Sequence, residues 1–254
     1  MLGDILQLNI FAFMMVFARI GTALLIMPGF ASVQLYARAR LSIALAISFL
    51  ATPALVAQMP AVPNEPMMIF MLLGSEILAG AILGTIPLIL ISAVHVAGTI
   101  ISFVSGLASA LTWDPVVQTQ SGIVSGFLGM VGLVLVFVTD MHHIFIRAIL
   151  DSYSTFRPGV APDIGDSTQM IARHIGDMFL IGVQMSTPFI ILNFAYNVGL
   201  GIMTRLAPQI PIFFVAMPLQ LLAGLVFMMI TTAGMMLALM TYMGEGMRPF
   251  LNTP

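Results

Sequence analysis

The sequence predicts an all-α membrane-associated protein built from long, kinked hydrophobic helical hairpins. Two observations carry that reading. Hydrophobic residues make up 60% of the chain and charged residues only 7%, with a mean hydropathy of +1.10, whereas globular domains average roughly 25% charged residues. Apolar runs long enough to cross a hydrocarbon core of about 30 Å follow one another along the chain, separated by Pro- and Gly-rich breaks. No stretch of about fifty residues is polar enough to be a separate soluble domain, so residues 1–254 read as one domain.

Composition also removes whole function classes. The cations are eight arginines and no lysine, which leaves neither a basic patch for nucleic acid nor the lysine of a phosphate-binding loop. The absence of cysteine rules out disulfides, thiolate metal sites and a cysteine nucleophile. No HExxH and no nucleophile with a plausible histidine base occurs. The chain therefore reads as a non-enzyme with no cofactor and no metal.

The first helix is expected over residues 5–27, with Arg19 inside it. A charge at that depth costs at least about 2.5 kcal/mol, so Arg19 should face protein or water rather than lipid. MLGDILQ has an aspartate and no cation before the apolar run, unlike a cleaved signal, and is expected to stay in the mature protein. Pro28-Gly29 ends the helix, Arg38 and Arg40 mark a polar junction, and a second helix follows over 41–58.

Residues 67–106 form a run too long for one crossing. Forty helical residues span roughly 60 Å, about twice the hydrocarbon core, so the run is either a tight hairpin of two helices or one bent helix with its kink at Pro87. Glu76, Gly80 and Gly84 recur every four residues and share a face. Glycines so placed permit close backbone approach, and the carboxylate beside them can pair with a neighbouring helix of this chain or of another subunit. Gly98, Ser102 and Gly106 repeat the pattern.

Residues 107–121, LASALTWDPVVQTQS, interrupt the apolar sequence, with a turn signal at Asp114-Pro115. Non-helical backbone at membrane depth needs protein or water around it; alternatively this is an interface loop anchored by the only tryptophan, Trp113. A helix over 122–150 follows, on which Asp140, His143, Arg147 and Asp151 stack along one side at spacings of three, four and four. Adjacent His142 and His143 point about 100° apart on a helix, and with no third ligand evident no metal is assigned to them.

After the loop RPGVAPDIGDS, a helix over 169–206 contains Pro188, carries the amides of Asn193 and Asn197, and ends with Arg205 in its last turn, where a cation meets the negative end of the macrodipole. Pro208-Gln209-Ile210-Pro211 then breaks the helix. Arg205 either snorkels to an interface or is buried between subunits and paired. The last helix, 212–242, contains Pro218 and a crowd of methionines, Met228, Met229, Met235, Met236, Met240 and Met243, whose unbranched chains repack easily.

Gly199-Leu200-Gly201, Arg205, Pro208-Gln209, Phe213 and Pro218 fall in a pattern that resembles the FliR family, called SctT or SpaR in injectisomes. Phe17-Ala18-Arg19-Ile20-Gly21 leading to Pro28-Gly29-Phe30, the stretch from Glu76 to Gly84, and Gly106-Leu107-Ala108-Ser109 running to Asp114-Pro115 fit the same family in order. The resemblance implies a single-copy export-gate subunit of the flagellar basal body in the bacterial inner membrane. It would assemble with FliP and FliQ, beside FlhA and FlhB, into a helical pore passing unfolded export substrates. The loop of Gly106, Leu107, Ala108, Ser109, Ala110, Leu111, Thr112, Trp113, Asp114 and Pro115 would help plug that pore. Arg19, Glu76, Gly80, Gly84, Arg205, Pro208, Gln209 and Pro218 would serve subunit packing and charge pairing. The competing reading is a small-molecule secondary transporter with discontinuous helices, in which Glu76 and Arg19 form a proton site; no internal repeat of GIMTRLAPQIP supports it.

Overall fold

The computed structural model describes residues 2–31, 35–106, 122–207, 209 and 212–251, and among them every regular element is helical. In chain order these are α1 (Leu2–Ile26), α2 (Ala37–Leu55), α3 (Pro66–Val104), α4 (Ile123–Val138), α5 (Met141–Thr155), α6 (Ile164–Leu206) and α7 (Ile212–Met247). Among the described residues, four helical segments are long and apolar enough to cross a membrane, or up to five if α4 and α5 together make one span. The fold class is an all-α membrane protein. Leu107 to Asp114, Pro115 and the rest of the central loop lie outside the described residues, as do Pro208, Ile210 and Pro211.

The termini of the helices follow local chemistry. Beyond α1, Pro28 and then Gly29, at a φ of 89°, turn the chain, a conformation glycine adopts at no steric cost. α6 begins earlier than the expected 169 because Asp163 Oδ1 accepts the amides of Gly165 at 2.7 Å and Asp166 at 3.2 Å, satisfying donors a helix start leaves free. α7 continues to Met247 rather than ending near 242; Gly244 and Gly246 are inside it, where Gly246 lies against Leu90.

The run expected over 67–106 is one helix, Pro66–Val104, rather than two, and Pro87 sits inside it without ending it. The expected helix over 122–150 is instead two. Asp140, at φ 58° and ψ 16°, takes the left-handed conformation and starts α5 afresh. That geometry costs most residues about 1–2 kcal/mol, and Asp is among the few that visit it as single residues. An aspartate after a long apolar run was the available signal.

The described chain divides into two compact units. The first comprises 1–90, 136–175 and 243–254. Its α1 buries one stripe, Phe11, Ala12, Met15, Val16, Ile20, Ala23 and Leu24, at the spacing that places side chains on one helical face. Ile20 and Leu24 of α1, Ile47 of α2, and Ile146, Ile149 and Leu150 of α5 line a common gap in this core.

The second unit comprises 91–135 and 176–242. Its α3 portion buries Ala93, Val94, Ala97 and Ile101, and α4 adds Val124 and Leu128. Gly98 lies directly against the backbone of Ser125, so part of the second small-residue face packs within the chain. Phe189 of α6 meets Phe227 of α7 edge-on at 5.0 Å. Of the methionines singled out on α7, Met235, Met236 and Met243 are buried and Met229 is exposed.

Candidate functional site

The first unit is organised around a buried charge. Arg19 lies in the buried stripe of α1 and Glu76 on the facing side of α3, each 1% exposed. Arg19 Nε donates to Glu76 Oε2 at 2.7 Å and Nη2 to Oε1 at 3.1 Å, the two-pronged geometry that makes guanidinium–carboxylate pairs strong and directional. Two further donors are used as well: Nη1 reaches Ser152 Oγ at 3.2 Å and Nη2 the Phe156 carbonyl at 3.1 Å. Gly159 N–H donates to Glu76 Oε1 at 3.0 Å. The guanidinium carbon sits 3.9 Å over the ring of Tyr153, an electrostatic attraction to the face of the ring.

This constellation ties α1, α3, α5 and the loop after α5 into one knot. Removing two charges from water costs several kcal/mol per ion, which their attraction offsets only when the remaining hydrogen-bonding capacity is satisfied; here Ser152, Phe156 and Gly159 supply those partners. Arg19 faces protein, one of the two surroundings its position in an apolar run allows. The sequence did not single out Ser152, Tyr153, Phe156 or Gly159. The one signal was the loop RPGVAP, whose Gly159 has a φ of 79°, favoured only for glycine.

Gly80 and Gly84 extend the contact. A Cβ on Gly80 would meet the carbonyl oxygen of Arg19, and one on Gly84 would lie 2.6 Å from the carbonyl oxygen of Ala23. The face left open between a partner in the same chain and one in another subunit is thus covered by α1.

In the second unit a polar cluster stands where α3 ends. Gly106, at φ 74°, takes the left-handed conformation, a common helix terminator. Gln220 of α7 donates from Nε2 to the Val104 carbonyl at 3.1 Å and to Asn193 Oδ1 at 3.2 Å, so it satisfies a carbonyl that the end of α3 leaves free. Asn197 Nδ2 donates to the same Asn193 Oδ1 at 2.9 Å, and Tyr196 Oη to the Ala216 carbonyl at 2.5 Å. Gly106 is the last described residue before 107–121.

The C-terminal part of α6 is exposed. Asn197, Gly199, Gly201, Thr204 and Arg205 are all exposed, and nothing approaches a Cβ built on Gly199 or Gly201 within 4 Å. No described residue pairs with Arg205. Gln209 is exposed and Pro218 lies inside α7. The structure brings Arg19, Glu76, Gly80 and Gly84 together in one unit and leaves Arg205 outside that constellation.

The expected stack of Asp140, His143, Arg147 and Asp151 survives as two pairs, the first exposed and the second with Asp151 half-buried. His143 Nδ1 lies 3.3 Å from Asp140 Oδ1, and Arg147 Nε 3.6 Å from Asp151 Oδ2.

Residues 10–246 match the family model described as bacterial export proteins, family 1. The chain is similar to the flagellar biosynthetic protein FliR of Caulobacter vibrioides, 32% identical over 87% of this chain and 88% of that protein. It is 29% identical to FliR of Escherichia coli over 75% of this chain and 72% of that one. It is also similar to the Yop proteins translocation protein T of Yersinia pestis, at 26% identity over 63% and 65%.

Proposed function

The chain belongs to family 1 of the bacterial export proteins and is a membrane-embedded subunit of a flagellar or type III export apparatus, and from that premise we propose that it is a single-copy structural gate subunit. In this reading it assembles with FliP and FliQ in the bacterial inner membrane, beside FlhA and FlhB of the flagellar basal body. The assembly passes unfolded export substrates, and residues 107–121 help close the pore. In this reading no step is enzymatic.

The exposed end of α6 carries this reading. Asn197, Gly199, Gly201, Thr204 and Arg205 within fewer than ten residues make a poor surface for hydrocarbon. Small residues admit a close helix, and an amide, a hydroxyl and a cation there find partners in protein or water. The wider exposure agrees. Only 28% of the apolar window of α6 and 17% of that in 216–250 are buried, against 67% in α3. The saturated Arg19–Glu76 pair favours a scaffold over a proton site, because a carboxylate held by a guanidinium and an amide is poorly placed to exchange a proton with a substrate.

The test is co-expression of the tagged chain with FliP and FliQ from the same genome, purification in mild detergent, and native mass spectrometry. A discrete complex with one copy of this chain is expected. Recovery of this protein alone, stable and monodisperse, would overturn the proposal and direct attention to transport by the isolated chain.

A further inference from the structure

A candidate ligand set stands at the break between α4 and α5. Asp140, His142 and His143 each present a donor atom, and these atoms all lie within 4.8 Å of one another. We propose that these three residues form a divalent-metal site of the zinc type, two imidazoles and one carboxylate with the remaining position open to water.

Three features of the local geometry support the assignment. Asp140 occupies the N-cap of α5, where an Asp ordinarily accepts backbone amides, yet its side chain makes no capping bond. Its Oδ1 instead stands 3.3 Å from His143 Nδ1. That is about the separation of two donors lying ~2.0–2.1 Å from one tetrahedral zinc ion.

The second feature is the orientation of His142. Its Nδ1 lies 3.4 Å from the Val136 carbonyl, and because a carbonyl can only accept, this contact places a proton on Nδ1 and leaves Nε2 as the atom to offer a metal. A backbone carbonyl behind one ring nitrogen is the usual support of a metal-binding histidine. The ring is also packed at 5.0 Å against Phe137, which in turn meets Phe30 edge-on at 6.0 Å.

The third is the closeness of the imidazoles, whose centroids are 4.0 Å apart. Two rings so near cannot both carry a charge without repulsion, whereas both can be neutral donors to one cation. Nitrogen and carboxylate donors in this mixture suit zinc and its first-row neighbours rather than calcium or magnesium, which prefer all-oxygen sites. Asp140, in left-handed backbone at the N-cap of α5, stands at the bend between α4 and α5, beside the two rings.

The experiment is zinc titration by isothermal calorimetry on the full chain, carrying no polyhistidine tag, stripped with chelator, and purified with its co-expressed partner subunits if they are needed for recovery. One saturable equivalent is expected. Asp140→Asn, His142→Ala and His143→Ala should each weaken binding tenfold or more, while His174→Ala leaves it unchanged. Cobalt substitution, read as the visible absorption of a four-coordinate ion, should be lost in the same three variants. No saturable binding, or binding that survives Asp140→Asn and both histidine variants, overturns the proposal. Because each variant is compared with the parent preparation by its elution profile, a folding defect is distinguished from loss of the ligand set.

Discussion

Gly80 lies against the carbonyl oxygen of Arg19, one helical turn along α3 from Glu76, which the Arg19 side chain grips. One residue of α1 therefore meets α3 twice, through its backbone and through its charge. The close approach permitted by Gly80 and the reach of the guanidinium to Glu76 are parts of the same contact.

Gly80→Ala is expected to destabilise the chain by about 1–3 kcal/mol, since the added methyl must displace backbone rather than a flexible side chain. Gly74→Ala is the internal control. It sits in the same helix with nothing within 4 Å of a built Cβ and should be neutral or stabilise by up to ~1 kcal/mol through helix propensity. Unfolding of the two variants in detergent, followed by circular dichroism, reads the difference.

Removing one partner of the buried pair should cost about 3–5 kcal/mol, because it strands a charge in the core. Arg19→Met and Glu76→Met alone are both expected to reduce folded yield sharply, and the double variant to recover much of the loss. A double-mutant cycle on stability measures the coupling. Strict additivity would show that the pair is not an energetic unit.

Gly106→Ala forces a side chain into left-handed backbone and should cost about 1–2 kcal/mol locally. Gln220→Leu removes the donor that reaches the Val104 carbonyl. Both are expected to disturb the start of the central loop without disturbing the Arg19–Glu76 knot. Hydrogen exchange at the end of α3 should rise in each, while exchange in α1 stays as it was.

Deleting Leu107 to Thr112 should leave assembly intact and make the closed gate leak small ions. Conductance of the reconstituted complex checks this directly. A deleted gate that stays tight would place the seal in other residues.

Arg205→Glu is expected to abolish secretion by blocking assembly. It reverses the charge of an exposed residue in the last turn of α6 and sets an anion at the negative end of the helix. Motility, together with recovery of the complex from membranes, is the readout. A secreting, fully assembled variant would remove Arg205 from the functional argument.

The apolar runs made the fold class legible in the sequence, because the distances a membrane imposes on helices are fixed. Arg19 and Glu76 stood out for the same reason, as charges in hydrophobic surroundings that need partners. The rest of that site was hidden. Ser152 and Tyr153 look like an ordinary amphipathic helix end, and the Phe156 carbonyl and Gly159 amide are backbone groups that no side-chain pattern announces. The helix break at Asp140 was equally hard to read, since the residues around it keep helical spacing and only the left-handed φ of one residue separates α4 from α5. His142 and His143 were set aside for want of a third donor, and in the structure a carboxylate oxygen of Asp140 lies within 4.8 Å of both.

The knot around Arg19 also sets an order of events during synthesis. Glu76 is 57 residues downstream of Arg19 and the Phe156 carbonyl 137 residues downstream. At a ribosomal pace of about 5–20 residues per second, the carboxylate is made roughly 3–11 s after the arginine, and the loop carbonyl roughly 7–27 s after it. Until Glu76 is made the guanidinium on the nascent chain has none of its final partners, and until Ser152 and Phe156 follow it has only part of them. The first segment must therefore wait in water, among headgroups or in the insertion machinery, and its commitment to the bilayer is timed by segments not yet translated.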